Sequence, residues 1–384
     1  MSIYVDFHVL QTVPPSCVNR DDTGSPKTAV YGGSVRARVS SQAWKHAMRK
    51  EFRGMFAEDD LGNRTKNVVQ LVAQEMQSID ASLDEKKCLK KAADALDAAG
   101  ISLKAKKKEE IKKADALFFM SNRQAKEIAR LACGDTADKN DFKKALKEYP
   151  SVDIALFGRM AASDPTLNYD AASQVAHAIS THAVQNEYDY FTAVDDISED
   201  DNAGAGHLGT VEFNSSTLYR YANVNVSERR KPLDDAADVA VVVRKFAEAF
   251  IRSMPTGKEN TFANRTFPDA VYVTIRMDQP VNLCGAFEKP VRASEDGYAT
   301  ESEKRLAAYA KKIYSRYAAE PKAAFCIGDA LSDIAQQLSL PELLDTLEST
   351  FAISSKEGSS SRAFSMLISA SPIFSRRLAA IAFT

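Results

Sequence analysis

Between Lys66 and Glu148 the chain is built of Ala, Leu, Lys and Glu at helical spacing, and on both sides of that block its apolar residues alternate. One element cannot satisfy a period of 3.6 and a period of 2, so a helical insertion has to stand beside a sheet assembled from the flanks. Ile3, Val5, Phe7 and Val9 alternate with Tyr4, Asp6 and His8, which predicts a half-buried first strand. Pro14–Pro15 and the polar loop Asn19–Lys27 interrupt it. Gly32–Gly33 marks a turn into a second run, where Val35, Ala37 and Val39 oppose Arg36 and Arg38. Ser40 or Ser41 is placed to cap a helix beginning near Gln42. The insertion breaks at Gly100 and near Gly134. Beyond it, Val152, Ile154 and Leu156 predict a strand, and Val175 and Ile179 predict a helix over Asp170–Val184. The acidic, Gly-containing stretch Thr192–Ser216 is irregular. Strands are predicted at Leu218–Val226 and Val271–Met277, with an apolar helix over Ala236–Arg252 that Pro255 and Gly257 end. The last part reads as helices with a flexible piece at Gly358–Ser361. Strands alternating with helices define an α+β fold of ferredoxin-like type with inserted segments.

Charge sets the functional question. Fifty Lys and Arg against 52 Asp and Glu give a net charge of −2, so a nucleic-acid partner must be held by a local patch. Such a patch exists. From Thr23 to Lys50 there is no acid, while Lys27, Arg36, Arg38, Lys45, Arg49 and Lys50 are all cationic. At about 100° per residue, Ala43, Trp44, Ala47, Met48 and Phe52 share one arc of the Gln42–Arg53 helix. Lys45, His46, Arg49, Lys50 and Arg53 share the other, and the only acid, Glu51, falls in the apolar arc. Arg36 and Arg38 lie on one face of the preceding strand. A solvated face normally mixes Lys with Glu, because like charges repel by a few tenths of a kcal/mol per pair. A face of cations alone suits a row of phosphates, which give affinity without sequence reading. A merely solvated face is the alternative.

Other patterns carry less. The five cysteines are scattered without a CxxC pair, which argues against zinc and against a disulfide framework. No apolar stretch approaches the length a bilayer needs and no leader is recognisable, so a cytoplasmic protein is expected. Gly204-Ala205-Gly206-His207-Leu208-Gly209 spells GxGxxG, but acids precede it and a strand-like Thr210–Phe213 follows, where a dinucleotide site needs a helix. Asp195, Asp196, Glu199, Asp200 and Asp201 form either a solvated loop or a Mg²⁺ site. His177 and His182, five apart, diverge by about 140° on a helix and make a poor metal pair. The Lys104–Lys113 run includes Glu109 and Glu110 and reads as a solvated face. No catalytic set has spacing support, and neither cofactor nor metal is expected.

Several phrases in order resemble one family. They are Ser16-Cys17-Val18-Asn19-Arg20-Asp21-Asp22, Ala29-Val30-Tyr31-Gly32-Gly33, Arg38-Val39-Ser40-Ser41-Gln42 and Val152-Asp153-Ile154-Ala155-Leu156-Phe157-Gly158-Arg159-Met160. Phe191-Thr192-Ala193-Val194-Asp195-Asp196, His207-Leu208-Gly209-Thr210 and Tyr219-Arg220-Tyr221-Ala222-Asn223 continue the series. Together they resemble the backbone subunit of the type I-E CRISPR Cascade complex, the CasC family. The resemblance implies a palm related to the RNA-recognition fold over 1–60 and 150–384, a helical fingers insertion over 61–149 and a β-hairpin thumb over 190–222. It implies a non-catalytic subunit whose copies line up along a guide RNA (crRNA), kinking it at regular intervals for pairing with target DNA. Other Cascade subunits and a separate recruited nuclease are the further implied partners, with no membrane. Arg20, Lys27, Ser40, Gln42, Lys45 and Arg49 match RNA-contacting positions, and Arg38, from the cationic strand face, is counted with them. His46 stands where a relative can carry Arg, and a neutral imidazole gives a weaker phosphate contact at pH 7. Phe191 and Leu208 match positions that wedge beside the kinked base, Met160 matches a palm position, and Thr192 beside Phe191 is counted among the RNA-binding residues. The alternative is an RNA-guided RNA endonuclease using a thumb-loop Asp, Asp195 or Asp196, with Mg²⁺, as the related type III backbone subunits do.

Overall fold

The first strand is central rather than half-buried: Val5, Phe7 and Val9 are buried, and so are Asp6 and His8 between them. The computed structural model describes residues 2–105, 111–134, 136–193, 207–227 and 239–356. Strands β1 (Tyr4–Ser16), β2 (Thr28–Tyr31) and β3 (Ser34–Val39) lead into α1 (Ser41–Met55). The helical block follows: β4 (Gly62–Thr65), α2 (Val68–Ile79), α3 (Glu85–Ala98), the short strands β5 (Leu103–Lys104) and β6 (Lys113–Ala114), then β7 (Phe118–Ser121), α4 (Asn122–Cys133), α5 (Lys139–Lys147) and α6 (Val152–Phe157). Strands β8 (Ser173–Val175) and β9 (Ala178–Ser180) precede a long hairpin, β10 (Glu187–Ala193) and β11 (His207–Asn225). The chain closes with α7 (Val239–Arg252), α8 (Glu259–Phe262), β12 (Ala270–Arg276), α9 (Ala299–Arg316), β13 (Ala323–Ile327), β14 (Gln336–Gln337) and α10 (Leu340–Lys356). A ten-stranded mixed sheet runs β14-β13-β12-β1-β11-β9-β3-β2, with β10 and β8 also paired to β11. The fold is α+β.

By contacts the chain divides into two compact units. One comprises residues 1–48, 175–223 and 246–384; the other comprises 49–174 and 224–245. In the first, Phe7 packs on Phe246 and Phe250, and the buried Arg220 lies 3.8 Å from the centre of the Trp44 ring. In the second, Val68, Val72, Met76, Leu96, Ile128 and Leu146 form the centre of a helical core, so the 3.6 period of the insertion is a packing pattern.

Three further expectations fail. Val152–Phe157 is a helix, not a strand, and Val152 through Leu156 are all buried, Asp153 included. A short element covered on every side shows no diagnostic period. Asp170–Val184 is not helical. It forms β8 and β9, where Ser180 and Ile179 pair with Leu218 and Tyr219, and Ile179 and Ala178 pair with Arg38 and Val39. Pairing on both sides overrides the local helical spacing. The described parts of Thr192–Ser216 are strand, not irregular. Residues 236–238, Glu109–Glu110, the acids Asp195–Asp201 and Gly358–Ser361 lie outside the described residues.

The polar residues of β1 are held rather than solvated. Asp6 accepts from the Tyr221 hydroxyl at 2.8 Å and from Val281 N at 3.0 Å. Burial pushes its carboxyl up to about 7, against the lowering effect of those bonds and of Arg276. His8 Nδ1 lies 2.8 Å from the Tyr219 hydroxyl, and burial, with Arg276, pulls the ring down to about 3. These shifts oppose one another. Asp6 favours the fold below its ordinary pKa, near 3.8, and loses that contribution as pH rises through about 7. His8 favours the fold above its ordinary value, 6.5, and loses that contribution as pH falls. Asn keeps the neutral acid's shape and its carbonyl acceptor and cannot ionise. Asp6→Asn should therefore gain stability over the parent as pH rises from 4 to 8, by roughly 3–4 kcal/mol at the top. Urea unfolding at a series of pH values measures the difference; a constant offset would refute it.

Candidate nucleic-acid interface

Helix α1 begins where it does because Ser40 caps it: its Oγ accepts from Ala43 N at 3.3 Å and its carbonyl from Ala43 and Trp44 N. The first turn carries no acid, leaving the positive helix end without a neutralising side chain of its own. Asn19 ties the preceding loop to this point. Its Oδ1 accepts from Ser40 N at 2.9 Å, and its carbonyl accepts from Lys27 N at 2.8 Å. The Lys27 carbonyl accepts in turn from Arg38 N at 2.8 Å. Arg20 bridges to Pro26 across the loop, and Asp21 Oδ1 folds the tip by accepting from Thr23 and Ser25 N. Main-chain bonds thus draw the Arg20–Lys27 loop onto β3, and the Asn19 side chain ties it to the start of α1, all within the first unit.

The side chains divide by role. Arg20, Gln42 and His46 are exposed, and Lys27, Arg38 and Lys45 are half-buried. Burial pulls the Lys45 ammonium below its ordinary pKa. Ser40 is buried and its Oγ is the helix cap. Arg38 donates through Nε to Thr28 O at 3.1 Å, and its Nη1 lies 3.2 Å from His177 Nδ1. Arg36, by contrast, is buried and structural, donating to the carbonyls of Ser180, Phe287 and Glu288. Counting it with the accessible cations, as the run of sequence suggests, overstates the patch.

Arg49 and Met160 belong to the second unit. Arg49 pairs with Asp153 at 3.0 Å, donates to Gly62 O at 3.1 Å and lies over the Phe119 ring. Burial raises the Asp153 carboxyl, against bonds from Ser151, Arg49 and Gly62 N. Arg49→Ala strands that carboxylate, so it should cost roughly 2–4 kcal/mol in urea unfolding. Adding Asp153→Asn should recover part of the loss; no recovery would show that the loss does not come from the stranded carboxylate. Met160 is 81% exposed.

On the hairpin, Phe191 pairs with Gly209 and Thr192 with Leu208. A Cβ at Gly209 would come within 2.4 Å of the Phe191 ring, so the ring lies across the glycine. This gives the last glycine of GxGxxG a packing reason, and the strand that follows leaves no helix for a pyrophosphate. Gly204 and Gly206 lie outside the described residues. Tyr188 and Tyr190, which the sequence reading passed over, stand 68% and 65% exposed on β10. His182 stacks on Tyr298 and accepts from Thr217 N, so it is a core residue. Among the described residues no group of three or more His, Cys, Asp or Glu is placed to hold a metal, and no helix is long and apolar enough to cross a membrane.

The α+β fold with its broad mixed sheet defines a class that solved structures also show. A chain of a CRISPR RNA-guided surveillance complex in a pre-nicking state is similar at 31% identity and a TM-score of 0.81, covering 90% of this chain and 99% of that one. A second such complex contains a similar chain at 27% identity and a TM-score of 0.70, with the same coverage. No curated protein sequence matches. The chain belongs to the CT1975-like protein family, which it matches over residues 5–350, and is a Cascade-type CRISPR subunit.

Proposed function

We propose that the chain is a non-catalytic guide-RNA holder of a type I-E surveillance complex, repeated along the crRNA spacer and kinking it at regular intervals for pairing with target DNA. The observation that carries this is the cluster of Arg20, Lys27, Arg38 and Lys45 on a loop, strand and helix start joined through Asn19. Charge without base-reading groups suits a subunit that holds any guide, while pairing reads the target. In this reading the sheet unit is a ferredoxin-like palm, residues 61–149 are fingers and the β10–β11 hairpin is a thumb. On the hairpin Phe191, Thr192 and Leu208 flank a displaced base, which an apolar surface holds regardless of its identity; the exposed Met160, in the other unit, is a separate base-flanking position. Gln42 and His46, on the helix that Ser40 caps, complete the RNA contacts, while Arg49 is engaged by Asp153. Other Cascade subunits and a separate nuclease complete a cytoplasmic assembly.

Native mass measurement of the purified complex, with its bound nucleic acid sequenced, tests the reading. A ladder of copies on one RNA of defined length is expected; an RNA-free single copy would overturn it. Complementary RNA added with Mg²⁺ should remain intact. Regularly spaced cleavage that disappears in Asp195→Ala or Asp196→Ala would replace the holder with a nuclease.

A further inference from the structure

Arg38 lies in the cationic cluster and is held from two sides. Strand β3 pairs with β9 so that Arg38 faces Ile179, which makes the exposed His177 its diagonal neighbour, within reach of a long side chain. The guanidinium is held from two sides, by Thr28 O at 3.1 Å and His177 Nδ1 at 3.2 Å. A guanidinium only donates, so His177 must accept through an unprotonated Nδ1, and the ring proton sits on Nε2. The charged groups acting on the ring are Arg38 and Lys27. Burial first, then these two cations, keeps the imidazole below its ordinary pKa and therefore neutral at pH 7.

We propose that His177 is a positioning residue of the guide-RNA site, holding Arg38 in one rotamer with its remaining N–H groups available to a phosphate. The inference rests on the guide-RNA reading above and adds a residue that its charge pattern does not contain. An arginine already fixed by two acceptors loses less freedom when the RNA arrives than one that must be ordered at that moment. His177 itself carries no charge to the phosphate. Its effect passes through Arg38, and that makes it separable from a general electrostatic contribution.

A double-mutant cycle on guide-RNA affinity of the full-length protein tests this, with thermal unfolding read in parallel. His177→Ala should weaken binding by roughly fivefold, without a change in melting temperature, because one positioning hydrogen bond is lost. In an Arg38→Ala background the same substitution should do nothing further. His177→Asn should restore most of the affinity, since its amide oxygen takes the place of Nδ1, whereas His177→Gln reaches past that point and should not. Parental affinity in His177→Ala, or an undiminished effect without Arg38, would overturn the inference. If the parent chain does not bind guide RNA, or Arg38→Ala leaves binding unchanged, the guide-RNA reading or Arg38's place in it fails instead.

Discussion

Lys27→Glu combined with Lys45→Glu is expected to abolish guide-RNA retention while the protein keeps its fold. Each Lys supplies one phosphate contact in the proposed cradle, and each reversal both removes an attraction and adds a repulsion. Removing two charge-assisted phosphate bonds corresponds to a drop in affinity of about a hundredfold or more. The slope of log affinity against log salt should fall by about two at the same time. The fold tolerates the change because the bonds that place Lys27, to Asn19 and Arg38, are main-chain bonds that Glu also makes. Lys45 is only half-buried on α1. Lys304→Glu with Lys312→Glu, both exposed on α9, shifts net charge equally and serves as the control. Filter binding across a salt series separates the outcomes. Normal retention in the first pair, or equal loss in the control, would remove the cradle from the account.

The cationic patch was legible in the sequence because its signal is one of absence. No acid occurs from Thr23 to Lys50, and the structure presents Lys27, Arg38 and Lys45 from that stretch in one unit. Period and capping residues were equally direct: Ser40 caps α1, and the helical block forms α2 to α5. What the sequence could not supply is the identity of a residue's tertiary partner. Arg36 and Arg38 look equivalent, two apart on one strand, but three backbone carbonyls enclose the first and an exposed histidine meets the second. His177 read as half of a poor metal pair only because Asp170–Val184 has a helical spacing that its strand neighbours override. Arg49 looked like a free cation on a charged arc, whereas Asp153, 104 residues away, engages it. Local pattern reports which faces are polar, while long-range pairing decides which polar groups remain available to a ligand.

The same limit applies to Arg159, and removing it should do more damage than any substitution in the cradle. It occurs next to Met160 in a phrase that suggests an RNA contact, but it is 4% exposed. Its Nε donates to Leu167 O at 3.0 Å, Nη1 to Phe119 O and Gln124 Oε1, and Nη2 to Leu146 O at 2.8 Å. The Phe118 and Tyr169 rings lie within 5 Å of the guanidinium carbon. One side chain thereby joins β7, the start of α4, the end of α5 and the turn at Leu167. Burial lowers its pKa to about 10, so it remains charged at pH 7. Arg159→Ala removes a donor from three backbone carbonyls; Leu146 O keeps Gln124 Nε2, while the loss at Leu167 O and Phe119 O costs about 1–3 kcal/mol each, and a cavity opens besides. The expected loss, upwards of about 5 kcal/mol, approaches the whole stability of an ordinary domain. Arg159→Lys keeps the charge but cannot span the four acceptors with a single ammonium, so it should recover only part of the loss. Limited proteolysis should then cut first within residues 49–174, and urea unfolding should show an early transition that the parent lacks. RNA binding by the cradle, which lies in the other unit, should outlast that first transition. A melting temperature within about two degrees of the parent would mean that the four acceptors find water instead, and that Arg159 is available for another role.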